Sequence, residues 1–184
     1  MNGPFTAEPL AGARVRLVPA TAEHVAAFAA VFSDPLVSRW WPAPDPEAEA
    51  REHIEPEADR VVWAIEVEGA VVGIIQAWEQ AEPDYRHAGI DLSLMAAAQG
   101  RGLGPDAIRA VARWLFEVRG HHRITIDPSA ANRNAIRAYE KVGFRPVGLM
   151  RDYERGPDGT WHDGLLMDLL RGDVHGERVP DATR

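Results

Sequence analysis

The chain has no cysteine among its 184 residues, which excludes disulfides, a thiolate nucleophile and Cys-ligated zinc. Any thiol chemistry must then come from a bound molecule. Lysine is nearly absent too: Lys141 is the only one, and arginine carries the other positive charges. A basic footprint is missing, because 28 acidic against 20 basic residues leave a net charge of -8, whereas nucleic-acid phosphates demand the opposite balance. A cationic small molecule suits this chain better. No apolar run approaches the ~18 residues of a membrane span, and Met1-Asn2-Gly3-Pro4-Phe5 lacks the basic and apolar regions of a secretory signal. The expectation is a cytoplasmic protein, monomer or homodimer, that meets neither membrane nor nucleic acid. Serine-hydrolase elbows and P-loop lysine patterns are absent. His121-His122 and His162-Asp163 are not spaced as metal ligands, so no metal is expected.

What is present reads as one domain over residues 1–171, with a loose polar tail over 172–184. Alternation in Arg14 to Pro19 predicts a first strand, and Thr21, with His24 in the capping-box position, opens a helix to about Ser33. Four prolines and the pair Trp40-Trp41 make 34–46 a loop that presents large aromatics, and Glu47 to Glu57 a short helix. Two β-branched runs, Val61 to Val67 and Val71 to Trp78, are joined by Glu68-Gly69-Ala70 as a hairpin. A polar loop from Glu79 to His87 leads to Ile90, Leu92 and Leu94, which alternate with Asp91 and Ser93 along a further strand. An apolar stripe through Leu103, Ala107, Ile108, Val111, Ala112, Leu115 and Phe116 marks the clearest helix. A strand at His122 to Asp127, a helix at Asn132 to Val142 closed by Gly143, and strands at Pro146 to Tyr153 and Trp161 to Leu169 complete the order, with Gly156-Pro157-Asp158-Gly159 as the last turn. This order suits a mixed sheet with helices on both faces.

Two segments carry chemistry. Gln99-Gly100-Arg101-Gly102-Leu103-Gly104 is a glycine-rich turn opening a helix, where outward N–H groups can hold a pyrophosphate. Asn132 and Tyr139, seven residues apart on one predicted helix, face the same side after about two turns.

Standing in this order with a strand and helix between them, the two segments resemble the acetyl-coenzyme A site of the GNAT N-acetyltransferases. The resemblance implies the GNAT fold, an α/β (α+β) domain with one mixed, mostly antiparallel twisted sheet of about seven strands flanked by helices. It implies acetyl-coenzyme A as acyl donor. Leu92, Ser93 and Leu94 would pair with the pantetheine arm, and Gln99, Gly100, Arg101, Gly102, Leu103 and Gly104 would hold the pyrophosphate. Asn132 would bond the pantetheine or its phosphate side, and Tyr139 would protonate the departing thiolate. Amine acylation also needs a base, and Asp91, on the strand leading into the glycine turn, is placed for it.

Gly89-Ile90-Asp91, the run Asp127-Pro128-Ser129-Ala130-Ala131-Asn132 and Trp40-Trp41 are similar to the aminoglycoside 6′-N-acetyltransferases. That likeness implies a polyamine acceptor held by Asp91 and Asp127, with Trp40 and Trp41 lining its pocket. Arg151-Asp152-Tyr153, Gly159-Thr160-Trp161-His162-Asp163 and Met167-Asp168-Leu169-Leu170 instead resemble the ribosomal-protein N-terminal acetyltransferases. Protein N-termini and lysines are thus the rival acceptors, and a catalytically silent acyl-coenzyme A binding domain is the rival of another class.

Overall fold

The structure is a computed structural model that describes residues 4–156 and 158–174. Eight strands form one sheet in the order β1-β2-β3-β4-β5-β6-β8-β7. The strands are β1 (Leu10–Ala11), β2 (Arg16–Pro19), β3 (Arg60–Val67), β4 (Ala70–Gln80), β5 (His87–Leu94), β6 (Arg123–Ile126), β7 (Arg145–Arg155) and β8 (Trp161–Leu170). Every pairing is antiparallel except β5 with β6. The sheet is therefore mixed and mostly antiparallel, as expected, with β1 as an additional two-residue strand.

The helices are α1 (Val25–Ser33), α2 (Pro35–Ser38), α3 (Pro46–Ile54), α4 (Leu103–Glu117) and α5 (Arg133–Glu140). Strand β3 explains why both sheet faces are covered: Val61, Trp63 and Ile65 alternate with Val62 and Ala64, and all five are buried. A strand hidden on both sides reads as a continuous apolar run. Trp63, Ile75 and Ile90 pack with Leu103, Ile108 and Leu115 of α4 in the larger core. Val62, Ala64 and Ile74 pack with Phe28, Val31 and Phe32 of α1 in the smaller one.

The β3–β4 hairpin closes through Glu68 and Gly69, both at positive φ (54° and 82°). That is the two-residue turn whose twist matches the strands it joins. His24 takes the place of the usual capping-box glutamate, its Nδ1 accepting from the Thr21 N–H at 3.0 Å.

The predicted loop at 34–46 is interrupted by α2. Asp34 caps it, accepting from the Leu36 N–H at 2.9 Å, and Pro35 follows at the first helical position, where its missing N–H costs nothing. Strand β4 continues to Gln80, and Pro83–Tyr85 form a 3-10 turn inside the expected polar loop. Pro157 of the last predicted turn lies outside the described residues. Where the sequence predicts the start of the tail, Arg171–Asp173 form a turn, and Asp173 pairs with Arg145 at 2.6 Å. Residues 175–184 lie outside the described residues. Among the described residues no helix is long and apolar enough to cross a membrane.

One irregularity of the sheet prepares the site. The parallel pair β5 and β6 is joined only at Ala88↔Ile124 and Gly89↔Thr125. After β6 the chain turns toward β8, where Ser129 bridges Gly164 and the Ala130 N–H donates to the Asp163 carbonyl at 2.8 Å. Strand β5 continues alone on that side from Ile90 to Leu94, its backbone edge open.

Candidate active site

Two polar side chains share one row across the sheet, and Asp127 approaches them from just past the end of β6. Gln76 and Asp91 are register partners on β4 and β5, and Gln76 Nε2 donates to Asp91 Oδ2 at 3.2 Å. Asp91 lies two residues beyond Gly89 and Asp127 two beyond Thr125, so the last β5–β6 pair carries both carboxylates to the same face where the strands part. Burial, and next the charge of Asp127, pushes the Asp91 carboxyl up to about 6, while the Gln76 bond opposes the rise. A carboxylate tuned to this range exchanges protons near neutral pH.

Tyr139 reaches the same point from α5 and is buried. Burial, with Asp91 and Asp127 nearby, raises its phenol well above the ordinary range and keeps it a proton donor. Asn132 caps α5, its Oδ1 accepting from the Ala135 N–H at 3.1 Å. That bond leaves its Nδ2 donors for a ligand oxygen.

A cleft of about 520 Å³ runs from Tyr139 along the open edge of β5, past the start of α4. Leu92, Ser93 and Leu94 line it together with Gln99, Gly100, Gly102, Leu103 and Gly104. Gly100 and Gly102 both hold the left-handed conformation, at φ 72° and 79°, which glycine adopts without the penalty of a Cβ. A Cβ on Gly100 would meet nothing within 4 Å, so that side of the turn is open. The first N–H groups of α4 have no intrahelical partner, and the helix dipole adds positive potential there. Gln99 also helps build the turn, its Nε2 donating to the Leu94 carbonyl at 2.8 Å.

The charge of the lining is one-sided. Arg39, Arg137 and Lys141 border the cleft and, among the described residues, no carboxylate does, in a chain with 28 acidic residues. Such a surface, with a helix N-terminus at its centre, matches a polyphosphate on a long arm. An extended chain fits the open edge of β5 by strand-like pairing. The glycine turn, the unpaired edge and the cationic walls therefore fit coenzyme A. Among the described residues no three His, Asp or Glu side chains gather as a metal site.

The family model described as "Acetyltransferase (GNAT) domain" matches residues 14–145. The chain belongs to the GNAT acetyltransferases. Over 83 residues it is 42% identical to the kanamycin resistance protein of Rhizobium radiobacter, a match spanning 45% of this chain and 73% of that one. Over 89 residues it is 39% identical to the aminoglycoside N(6′)-acetyltransferase type 1 of Klebsiella pneumoniae, covering 48% of this chain and only 42% of the relative. A solved aminoglycoside acetyltransferase, AAC(6′)-Ib in complex with paromomycin and acetyl-coenzyme A, superposes with a TM-score of 0.73 at 26% identity over 92% of this chain and 99% of that one. RimJ of Mycobacterium smegmatis, in complex with a coenzyme A disulfide, shares the fold with a TM-score of 0.77 at 24% identity, over 95% and 92% of the two chains.

In this GNAT protein the residues singled out from sequence divide into three groups. Leu92, Ser93, Leu94, Gln99, Gly100, Gly102, Leu103, Gly104, Asn132 and Tyr139 meet around one cleft. Asp91 and Asp127 stand together beyond its inner end, near Tyr139. Arg101 and Trp41 are brought to neither place. The Arg101 carbonyl accepts from the Arg14 guanidinium, and its side chain is not part of the lining. The tryptophan pair splits: Trp40 borders the cleft under the Arg39 guanidinium, 4.6 Å from its ring centre. Trp41 packs 5.7 Å from Phe32 and 5.3 Å from His53, its indole N–H donating to Glu49 at 3.0 Å. Sequence reasoning missed Gln76, Arg39 and Tyr153. The Asp34-Pro35 helix start is the signal that would have placed Leu36, Val37 and Arg39 on a wall, since the Asp34 carboxylate also accepts from the Ala96 N–H at 2.7 Å and ties α2 to the glycine turn. Nothing local announces Gln76 or Tyr153.

Proposed function

We propose that this protein transfers the acetyl group of acetyl-coenzyme A to a primary amine of a polycationic amino sugar, the reaction type of an aminoglycoside 6′-N-acetyltransferase. The observation that carries this reading is the meeting of two surfaces of opposite polarity at Tyr139. On one side lies a cleft whose charged lining, among the described residues, is cationic; on the other lie Asp91 and Asp127. A polyanionic donor and a polycationic acceptor are each drawn to the side that complements it. The kanamycin resistance protein and the aminoglycoside acetyltransferases among the relatives support the same choice.

Within this reading the open edge of Leu92 to Leu94 binds the pantetheine, the turn from Gly100 to Gly104 binds the pyrophosphate, and Asn132 donates to the arm. Bound acetyl-coenzyme A supplies an activated acyl group and a thiol leaving group. Asp91 takes a proton from the acceptor amine, directly or through water, and Tyr139 delivers one to the departing sulfur. Asp127 holds a second ammonium group of the acceptor, and Trp40 walls the cleft beside it. Trp41 shapes the wall from behind by anchoring the same loop in the smaller core.

A thiol-release screen with acetyl-coenzyme A against kanamycin A, spermidine and peptides with Ser, Thr or Ala N-termini tests the acceptor. Turnover of kanamycin A well above that of the peptides is expected. Efficient peptide acetylation with no response to kanamycin A would replace this reading by N-terminal acetylation.

A further inference from the structure

One polar contact in the site has no part in the chemistry above. Tyr153, near the end of β7, donates its hydroxyl to Asp127 Oδ2. The residue is 46% exposed, so core packing does not account for its placement.

Several features converge to bring this phenol to that carboxylate. The β7–β8 register shifts between Met150 and Glu154, so the segment holding Tyr153 bulges from the ladder. Asp152 sits at φ 49°, in the left-handed region that non-glycine residues other than asparagine and aspartate rarely visit. Its N–H is held by Asp163 Oδ1 at 3.0 Å from β8. Gly164, the next residue on β8, clears the path: a Cβ there would stand 2.6 Å from Tyr153 Cδ1 and 3.0 Å from Met150 Cε. A bulge, a left-handed residue and a glycine required by a ring all serve one hydrogen bond. Strain of this kind persists only where the surroundings enforce it, and it gathers at functional sites.

The groups around the bond show what it serves. The charged neighbours acting on Tyr153 are Asp127, Asp91 and Glu154, all acidic. The hydrogen bond to Asp127 and burial hold the Tyr153 phenol above its ordinary range, so it remains a donor at neutral pH. From the other elements, Gln76 of β4 bonds Asp91, and Tyr139 of α5 lies near both carboxylates.

We propose that Tyr153 is a positioning residue of the acceptor site: its hydroxyl fixes the Asp127 carboxylate beside Asp91, so that the two carboxylates present their oxygens to ammonium groups of one acceptor. The proposal rests on the polyamine reading for the identity of the acceptor, and on geometry alone for the coupling of Tyr153 to Asp127.

The test is a double-mutant cycle with Tyr153→Phe, Asp127→Asn and the double variant. The phenylalanine keeps the ring on Gly164 and removes only the hydroxyl. With kanamycin A as acceptor, Tyr153→Phe is expected to raise KM about five-fold, to lower kcat by less than that factor and to leave KM for acetyl-coenzyme A unchanged. In the Asp127→Asn background the same change should leave KM where it was. An equal rise in KM in both backgrounds, or none in either, overturns the proposal. A wild-type protein that acetylates neither kanamycin A nor spermidine defeats the polyamine reading instead. The cycle is then read on urea unfolding, where Tyr153→Phe should shift the midpoint only when Asp127 is present, and strictly additive shifts overturn the coupling.

Discussion

In the proposed reaction Asp91 and Tyr139 are suited by environment to two different proton transfers, one as acceptor and the other as donor. The carboxyl sits at about 6 because it is enclosed and faces Asp127, and the phenol is held protonated by the same enclosure and the same two acids. A base must be ionised to act, so kcat/KM for the amine should fall below about pH 6 along a limb set by Asp91. Gln76 opposes the upward shift, and Gln76→Leu should therefore move that limb to higher pH in a pH–rate profile. Tyr139→Phe should lower kcat roughly ten-fold or more while the Kd of acetyl-coenzyme A, measured by calorimetry, changes little, because in the proposed mechanism the hydroxyl acts on the departing sulfur. An unchanged kcat would remove Tyr139 from the proton path.

At the scale of elements, the start of α4 does two jobs at once. In the proposed reading its outward N–H groups meet phosphate, while Asp106 in its first turn accepts from the N–H groups of Ala13, Arg14 and Val15 at 3.0, 2.7 and 3.1 Å. Those three bonds tie the β1–β2 turn to the helix, and a Cβ on Gly12 would stand 2.5 Å from Asp106 Oδ2. Asp106→Ala leaves three N–H groups without their acceptor and should lower unfolding stability by about 2–3 kcal/mol in urea melts, since hydrogen bonds to a charged group are the stronger kind. Gly102→Val affects the other job. At φ 79° a β-branched residue is strained, and its side chain enters the turn. Acetyl-coenzyme A affinity should fall about ten-fold or more, and unchanged affinity in a folded variant would move the phosphate elsewhere.

The whole molecule separates its charges more than its composition suggests. A net charge of -8 coexists with a cleft walled, among the described residues, by no acidic side chain. Raising salt should therefore weaken both substrates, each attracted to a surface of opposite sign, and steady-state KM values for both should climb together. Far from the cleft, His121 is buried against Glu79 at 3.0 Å. Burial, and next the Arg86 guanidinium, holds its imidazole below the ordinary range, with Glu79 opposing. The sign follows from proton counting: unfolded chain takes up a proton near pH 6.5 that the folded chain binds less readily, so stability is lost as pH falls below that value. His121→Gln, which can still donate to Glu79, should flatten the pH dependence of the melting temperature between pH 7 and 5.5.

The sequence by itself determined whatever depends on neighbours in the chain. Hairpin β3–β4 was legible because β-branched runs and a glycine turn are local signals, and so were the apolar stripe of α4 and the glycine-rich turn before it. Asn132 and Tyr139 both border the cleft, but Asn132 does so as the N-cap of α5 and not from within the helix that the sequence predicted to start there. That Asp91 stands beside Asp127 was decided by the register of a parallel strand pair and by the pull of β8 on the chain after β6; no local pattern encodes such a pairing. The separation of Trp40 from Trp41 required α2, whose Asp34 cap is anchored to a turn distant in sequence. Tyr153 reached Asp127 only through a bulge and a cleared glycine on a neighbouring strand. Periodicity assigns each residue a face, and only the packed sheet decides which faces, from which strands, come to share one point in space.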